Sequence, residues 1–268
     1  MRFFLIGGGV LLAVILAGVV ISMNAGRKAS APVGSVPAAV PVQEPKSPEP
    51  IKPAMANDAA FIARAEPLTR KFLAATTVEQ LLPLVRNPGT AEARMRGFYP
   101  EGKPIPVGIS KFNVTGEVTT KGDCKSVDIM TDNFDNKRLV FVNVAGDLKI
   151  DWESWVGWSE MTWADFRNSK PDSAKIFRVT LSPVDYYNFD FLDETKWQSY
   201  RLVSPDQENS LYGYVERGGE LDKRIRPGPD SSSIPLMLKL KFPKGTLSND
   251  QVEIESVVSD GWVEENAK

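Results

Sequence analysis

The chain of 268 residues contains no histidine and a single cysteine, Cys124. Imidazole is the commonest general base and a frequent metal ligand, so Ser-His-Asp and Cys-His catalysis and histidine-based zinc sites are excluded within this chain. One cysteine also excludes an internal disulfide framework. Chemistry is left to carboxylate, tyrosine and lysine groups or to cations with oxygen ligands, and no cofactor is predicted.

The chain also has no excess of basic over acidic residues. The chain has 32 lysines and arginines against 34 aspartates and glutamates, a formal net charge of −2, and both signs are scattered along it. Nucleic-acid binding requires a concentrated basic surface that neutralises phosphates. We therefore expect no nucleic-acid partner.

One long apolar run is present, at residues 3–22, and it contains no ionisable side chain. At 1.5 Å per residue a helix of this length spans about 30 Å, the thickness of a bilayer hydrocarbon core. The run predicts a transmembrane anchor over residues 3–23. The alternative is a cleaved secretory signal, whose apolar core is normally about 7–15 residues long and ends in a small-x-small cleavage site.

The orientation of this anchor does not follow from charge, because the amine of Met1 and Arg2 on one side balance Arg27 and Lys28 on the other. A short leader followed by a large domain favours a single-pass signal anchor with a cytoplasmic N-terminus and an extracytoplasmic, envelope-facing C-terminal domain. Small residues at four-residue intervals allow membrane helices to approach closely and predict weak self-association. They are Gly9, Ala13 and Ala17.

A proline-rich linker is predicted over residues 24–56, with seven prolines between positions 29 and 53. Such a composition favours extended conformations and buries too little apolar surface to fold. The segment is interpreted as a disordered tether, either a spacer through the envelope or a simple hydrophilic stalk.

Helical patterns open the remaining chain. Asn57 is a candidate N-cap for a helix with one apolar face, in which Pro67 marks either a kink or a new helix start. Residues 77–80 have the pattern of a capping box for a short helix that residues 87–89 would end. Thr90 then caps a last turn that Gly97 ends. The apolar face comprises Phe61, Ile62, Ala65, Leu68, Phe72 and Leu73.

After Pro104 the apolar period changes to two, which predicts strands at about 106–118, 124–131, 138–145 and 148–152. Helices followed by an antiparallel meander, together with the run at 72–82, resemble the nuclear-transport-factor-two-like fold over residues 57–152. The resemblance implies a curved sheet that wraps a long helix into a cone with an open mouth. Enzymes of that fold commonly use an Asp or His inside the cone, but no residue of this chain is assigned to such a position.

Four tryptophans lie between positions 152 and 163. If exposed, large rigid aromatics dominate recognition surfaces, and Trp155, Trp158 and Trp163 would bind a partner. If buried, they would form the core between two layers.

The segment 185–191 alternates as a strand would, with Tyr186, Asn188 and Asp190 on one face. Asp185, Tyr186 and Asp190 are the alternative acid/base candidates. Carboxylates at 190, 193 and 194 could also hold calcium, although no calcium-loop spacing is present. A solvated strand end is the third interpretation.

The last third of the sequence predicts further strands at about 197–203 and 211–216, and two more around 236–242 and 252–255. Lysines on the outer positions of the third strand would face glutamates on the fourth, so residues 239–241 are predicted to pair antiparallel with 252–256. A short basic cluster precedes this pair and either touches anionic groups or forms a solvated edge. It consists of Lys223, Arg224 and Arg226.

The sequence thus predicts an α+β protein: an N-terminal transmembrane helix, helices packed on a curved antiparallel sheet in a module over 57–170, and a β-rich half over 171–268. That half is either a separate module or a continuation of the same sheet. The predicted function is a non-catalytic, membrane-anchored module that binds an envelope protein or polymer. The alternatives are a small-molecule hydrolase or isomerase based on carboxylate and tyrosine groups in a cone-like pocket, and a purely structural spacer.

Overall fold

Two groups of secondary-structure elements follow one another in a computed structural model that describes residues 53–264, with side chains from residue 58 onward. The helices are α1 Pro53–Leu73, α2 Val78–Leu81, α3 Pro88–Phe98, α4 Trp152–Val156, α5 Trp163–Ser169 and α6 Glu220–Ile225. The strands are β1 Ile109–Lys111, β2 Thr119–Lys121, β3 Cys124–Thr131, β4 Asn136–Val144, β5 Asp147–Ile150, β6 Lys175–Pro183, β7 Trp197–Val203, β8 Ser210–Glu216, β9 Ile234–Lys241 and β10 Gln251–Ser259.

The first group, called the sheet module below, packs α1 to α4 against a curled antiparallel sheet of order β1-β3-β4-β5, in which β2 also pairs with β3. The apolar face of α1 supplies Phe61, Ala65 and Phe72 to the core. The ring of Phe61 meets that of Phe141 edge-on, with centroids 5.3 Å apart. This helix-on-sheet layer confirms the α+β prediction for the first half.

The second group is a closed barrel of order β6-β7-β8-β10-β9. Its neighbouring strands are antiparallel except β8 and β10, which run parallel. The barrel interior has no space for a side chain at Gly213 on β8. A Cβ atom there would lie 2.7 Å from Leu202 and 2.9 Å from Ile254. The β-rich half therefore forms its own sheet and is not a continuation of the first.

The connectivity of this barrel is specific. Counted from β6, the strand order is 1-2-3-5-4, the third and fifth strands are parallel, and α6 lies between the third and fourth. This is the connectivity of an OB-type barrel, in which the second and third strands and the loops between strands one and two and between strands four and five form the ligand-binding face. The corresponding loops here, the first loop at 184–196 and the second loop at 242–250, are called the barrel loops.

The antiparallel pairing predicted near the end of the chain is confirmed. Lys241 lies opposite Glu253, and Lys239 lies opposite Ser256. The ammonium of Lys241 is 3.3 Å from the Glu253 carboxylate and 3.5 Å from that of Glu255. Charge complementarity between alternating strands was therefore a sufficient signal for this register.

The helix boundaries differ from the predicted ones. The first helix starts at Pro53 and continues through Pro67 without a second start. Thr77 caps α2 as predicted, accepting from the Gln80 amide. Residues 87–89 do not end a helix but begin α3, because Pro88 occupies the first helical position, where a missing N–H costs nothing. The predicted cap at Thr90 and the predicted end at Gly97 thus both fall inside α3.

Two predicted strands are wrong in large part. In the segment 106–118 only β1 pairs, since Asn113 and Gly116 adopt positive φ angles and form a turn. The predicted strand at 185–191 is coil that ends in a 3-10 turn at Phe189–Phe191, and Phe189 has a φ of 49°. The left-handed backbone breaks the alternation on which the strand and its two faces were based.

No helix in the described range 53–264 is long and apolar enough to cross a membrane. The predicted anchor over 3–23, with Gly9, Ala13 and Ala17, lies outside that range, as does most of the predicted linker over 24–56. The last residues of that linker are helical, because α1 begins at Pro53.

Candidate docking site on the barrel loops

The first loop folds back over the outer face of β8. The ring of Phe191 stacks on Tyr214 with centroids 3.9 Å apart and planes 2° from parallel. The ring of Tyr186 stacks on Tyr212 at 4.1 Å. Aromatic pairs of this kind add about 0.5–1.5 kcal/mol each beyond the burial of their area, so the loop is held firmly against the barrel.

Hydrogen bonds reinforce this attachment. The Tyr214 hydroxyl donates to the backbone carbonyl of Tyr186 at 2.8 Å and accepts from the Gln251 side chain at 2.9 Å. Burial raises the pKa of Tyr214 to about 12, so the phenol stays protonated and keeps its donor. The first loop is therefore fixed to β8 through Tyr214, which Gln251 of β10 also contacts.

The second loop is tied to the first by a hydrogen bond from the Thr246 hydroxyl to the Asp190 carboxylate. The backbone carbonyl of Thr246 also accepts from the Lys170 ammonium at 3.1 Å, at the end of α5. These bonds bring the barrel loops together at one end of the barrel.

Three large apolar side chains project into solvent from the joined loops. Phe189 is 53% exposed, Leu192 is 69% exposed and Leu247 is 90% exposed. Phe189 and Leu247 are each adjacent in the chain to a member of the Asp190–Thr246 pair. We call these three residues the docking patch.

The backbone of Phe189 is strained. A φ of 49° is rare for a residue with a bulky side chain, and such conformations cost about 1–3 kcal/mol and persist where the surroundings enforce them. Here the Asn188 side chain accepts from the Phe189 amide at 2.8 Å. The fold thus presents an exposed phenyl ring on a constrained turn.

The acid/base candidates predicted from sequence lie in this loop but not on a common strand face. Asp185 is exposed, Tyr186 is half-buried in its stack, and Asp190 is engaged by Thr246. Their positions test no catalytic role, which stays a prediction. Tyr186 stacks on Tyr212 and Asp190 accepts a hydrogen bond from Thr246, so both residues position the first loop.

The tryptophans predicted as partner-binding residues lie mainly in the two cores. Trp155 and Trp163 are each 9% exposed, one in the core of the sheet module and the other in that of the barrel. Trp158 is half-buried and lies 4.2 Å below the guanidinium of Arg94. Partner binding through these three residues stays a prediction without a contact that favours it.

A cavity lies between α1 and the sheet. Its volume is about 400 Å³, and Phe61, Phe141 and Leu148 form its apolar wall. The carboxylate in its lining, Asp123, is exposed, and Lys125 pairs with Asp58 at 3.0 Å. The lining therefore lacks the enclosed carboxylate that the hydrolase or isomerase alternative requires.

The predicted basic cluster is paired in the structure. The guanidinium of Arg226 is 2.7 Å from the Asp222 carboxylate, that of Arg224 is 3.2 Å from Asp260, and Lys223 is 2.8 Å from Glu220. Each of the three cations is thus paired with a carboxylate of the same chain, in agreement with the solvated-edge interpretation.

Sequence analysis missed Leu192 and Leu247, the most exposed members of the docking patch. The available signal was local: Leu247 stands among polar and turn-forming residues, and Leu192 follows directly after the aromatic segment 185–191. Such isolated leucines are also common on ordinary surfaces, so only the contact between the loops distinguishes them.

No family model matches this chain, and neither a curated protein nor a solved structure shows significant similarity to it. Connectivity of a fold does not determine function, so function has to be inferred from the site. Within residues 53–264, no group of three Cys, Asp or Glu side chains is placed to hold a metal ion.

Proposed function

We propose that this chain is a membrane-anchored, envelope-facing docking module that binds a protein through the docking patch. The observation that carries the proposal is the exposure of Phe189, Leu192 and Leu247 on two loops that are tied together. Residues 3–23 supply the anchor and residues 24–52 the tether in this proposal, on the evidence of the sequence alone.

The rigidity of the loops favours binding over mere exposure. An interface loses affinity when loops or side chains must be ordered on association, at about 0.5–1.5 kcal/mol for each flexible side chain immobilised. The stacked rings of Phe191 and Tyr186 fix the first loop before any partner arrives. A loop fixed in advance therefore loses less affinity to ordering when a partner binds.

The chemistry of the patch favours a protein over a polysaccharide. Sugars are bound by flat aromatic faces with hydrogen-bonding groups beside them, whereas two of the three patch residues are leucines. Leucine side chains gain from burial against other apolar side chains, at about 25 cal/mol per Å². OB-type barrels bind oligonucleotides and oligosaccharides at these same loops, so the analogy supports the location of the site and not the class of its ligand.

We expect a photo-crosslinking amino acid at position 192 or 247 of the full-length chain, in its own membrane, to yield a discrete protein adduct. Substituting serine at Phe189 should lower the adduct yield at least about tenfold, because an anchor residue of the interface is removed. The measurement is adduct yield on denaturing gels, with protein level as the normaliser.

The matched controls are Ile105 and Phe134, which are 75% and 79% exposed on the sheet module. A crosslinker at either position should give no such adduct, and serine there should leave the yield from position 192 unchanged. Equal adducts from the control positions, or none from 192 and 247, would contradict the docking patch.

The topology is testable with single cysteines. In a Cys124→Ser background, Ser232→Cys on the exposed loop between α6 and β9 should react with a membrane-impermeant maleimide in intact cells. Arg2→Cys should react only after permeabilisation, because the proposal puts the N-terminus in the cytoplasm. Labelling in the reverse pattern would place the barrel inside the cell.

A further inference from the structure

The two cores of the protein are separate. Buried apolar residues of the first core, with the side chains packed on them, lie between Phe61 and Trp158, and those of the second lie between Met161 and Val257. Of the described residues, none belongs to both clusters. Joints without a large shared apolar surface permit relative motion unless other contacts hold them.

Residues 260–264, which follow β10 and are called the strap below, bond to the sheet module. The Lys121 ammonium donates to the backbone carbonyl of Asp260. The Arg86 guanidinium donates to the backbone carbonyl of Glu264 at 2.9 Å, and that of Arg94 lies 3.6 Å from the Glu264 carboxylate. Three cations of the sheet module therefore converge on five residues.

The strap bonds equally to the barrel. The indole N–H of Trp262 donates to the Val179 carbonyl at 2.9 Å, and the Arg178 guanidinium donates to the Trp262 carbonyl at 2.7 Å. Asp260 pairs with Arg224 at 3.2 Å. One short segment thus contacts both parts of the protein.

Arg178 links the strap to the first core. It is 1% exposed and also donates to the backbone carbonyl of Trp158 at 2.6 Å. Burial lowers its pKa to about 10, so the guanidinium stays charged at neutral pH. A buried charge held by carbonyls is costly to leave unpaired, which makes the joint depend on the position of the strap.

The connecting segment between the cores, residues 157–162, contains a conformationally special position. Gly157 has a φ of 64°, and a Cβ atom there would lie 2.7 Å from Pro205 on the barrel. A larger residue would meet both backbone strain and this contact. The chain is therefore built to turn sharply here.

We infer that the strap holds the barrel against the sheet module, and that its release lets the two parts separate about residues 157–162 while both cores stay folded. The Lys and Arg groups that donate to the strap can exchange its backbone carbonyls for water when the two parts separate. Two intact cores joined by such bonds form a device that opens without global unfolding. The inference is independent of the docking patch.

The test uses the chain with Cys124→Ser and spin labels at Glu117→Cys and Asp230→Cys, both exposed positions, one on each part. We expect a single narrow distance distribution in this background and a broad one at longer distances after Trp262→Ala. Calorimetry should show one unfolding transition for the background protein and two for Trp262→Ala. Near-ultraviolet circular dichroism should keep the signal of the remaining buried aromatics.

Milder variants guard against a folding defect. Lys121→Gln with Arg224→Gln removes two exposed strap contacts and should broaden the distribution partly, whereas Lys223→Gln, on the same helix as Arg224, should not. Trp262→Phe keeps an aromatic ring but also lacks the indole N–H, so it should broaden the distribution as Trp262→Ala does. The proposed role of the strap would be wrong if the distance distribution were unchanged in both Trp262→Ala and the double variant. It would also be wrong if both lost the near-ultraviolet circular dichroism signal of the buried aromatics.

Discussion

Replacing Asp151 with alanine is expected to lower the free energy of unfolding by about 3–5 kcal/mol, the cost of leaving a buried charge without its partner. Asp151 is fully buried, and its carboxylate lies 2.5 Å from the Nε of Arg86, which is 5% exposed. The two atoms approach as an ion pair without the alignment of a hydrogen bond. The arginine cannot reach solvent when the carboxylate is removed.

Asp151 has a second role that a conservative variant separates. Its other oxygen accepts from the Ser154 amide at 2.7 Å and caps α4. Asp151→Asn keeps an acceptor for the cap, typically worth about 1 kcal/mol, but loses the charge. We therefore expect Asp151→Asn to be destabilising by a smaller amount than Asp151→Ala, and urea unfolding followed by tryptophan fluorescence measures both.

The control is Asp147→Ala, an exposed aspartate four residues earlier whose nearest cation, Lys149, is 3.9 Å away. Exposed pairs contribute about 0–1 kcal/mol, so this variant should match the unsubstituted protein closely. A cost for Asp151→Ala no larger than that of Asp147→Ala would show that the Arg86 pair does not stabilise the fold.

The parts of the fold that sequence predicted well are those with a local signal. Thr77 identified its helix start because Thr77 and Gln80 have the local spacing of a capping box. The alternation of Leu238 and Leu240 with Lys239 and Lys241 located β9, and the facing glutamates gave its neighbour. In each case the residues that determine the structure are close in sequence or complementary in charge.

The parts that failed depend on contacts remote in sequence. The aromatic alternation in residues 185–191 is the same whether the segment pairs as a strand or lies on one. Only its contacts with β8, such as the stack of Phe191 on Tyr214, decide between the two. Likewise, the parallel pairing of β8 with β10 closes the barrel across more than thirty residues, and no local pattern encodes it.

The candidate site was foreseen only in part for the same reason. Asp190 was identified as a polar residue of interest, but its partner Thr246 lies 56 positions away. Exposure of Leu247 is a property of where the loop lies and not of the leucine itself. The predicted acid/base roles drew on a strand face that the left-handed turn at Phe189 removes.

A buried tyrosine–aspartate pair inside the barrel gives the second large effect. The Asp222 carboxylate, fully buried, accepts from the Tyr200 hydroxyl at 2.6 Å, from the Gly218 amide at 2.8 Å and from the Arg226 guanidinium at 2.7 Å. It joins α6 to β7 and to the turn before the helix. Sequence analysis gave no indication of it, because an aspartate in a short polar helix is normally exposed.

Asp222→Ala is expected to lower the free energy of unfolding at pH 7 by about 3–5 kcal/mol, since each hydrogen bond to a charged group contributes about 1.5–3 kcal/mol and Tyr200 keeps a buried hydroxyl without its acceptor. Asp222→Asn should cost less, because the amide oxygen still accepts one of these bonds. Urea unfolding at pH 7 measures both variants.

The pH dependence gives the sharper test. Burial raises the pKa of Asp222, but the hydrogen bonds from Tyr200, Gly218 and Arg226 together outweigh it and leave the pKa below its ordinary value. A carboxyl with a depressed pKa in the folded state stabilises the protein above its unfolded pKa of about 3.9, and this contribution is lost as the pH falls through the folded value. The stability difference between the unsubstituted protein and Asp222→Asn should therefore be constant from pH 7 to about pH 5 and shrink below about pH 4.

The matched control is Asp230→Asn, an exposed aspartate on the loop after α6. It loses the same formal charge without a buried network, so its stability difference should stay near zero over the whole range. A difference for Asp222→Asn that is flat with pH, or that grows as the pH falls, would mean that the folded state does not favour the ionised carboxylate. In that case Tyr200 would have to be satisfied by another acceptor in the barrel core, and the link between α6 and β7 would rest on the packing of Leu221 and Ile225.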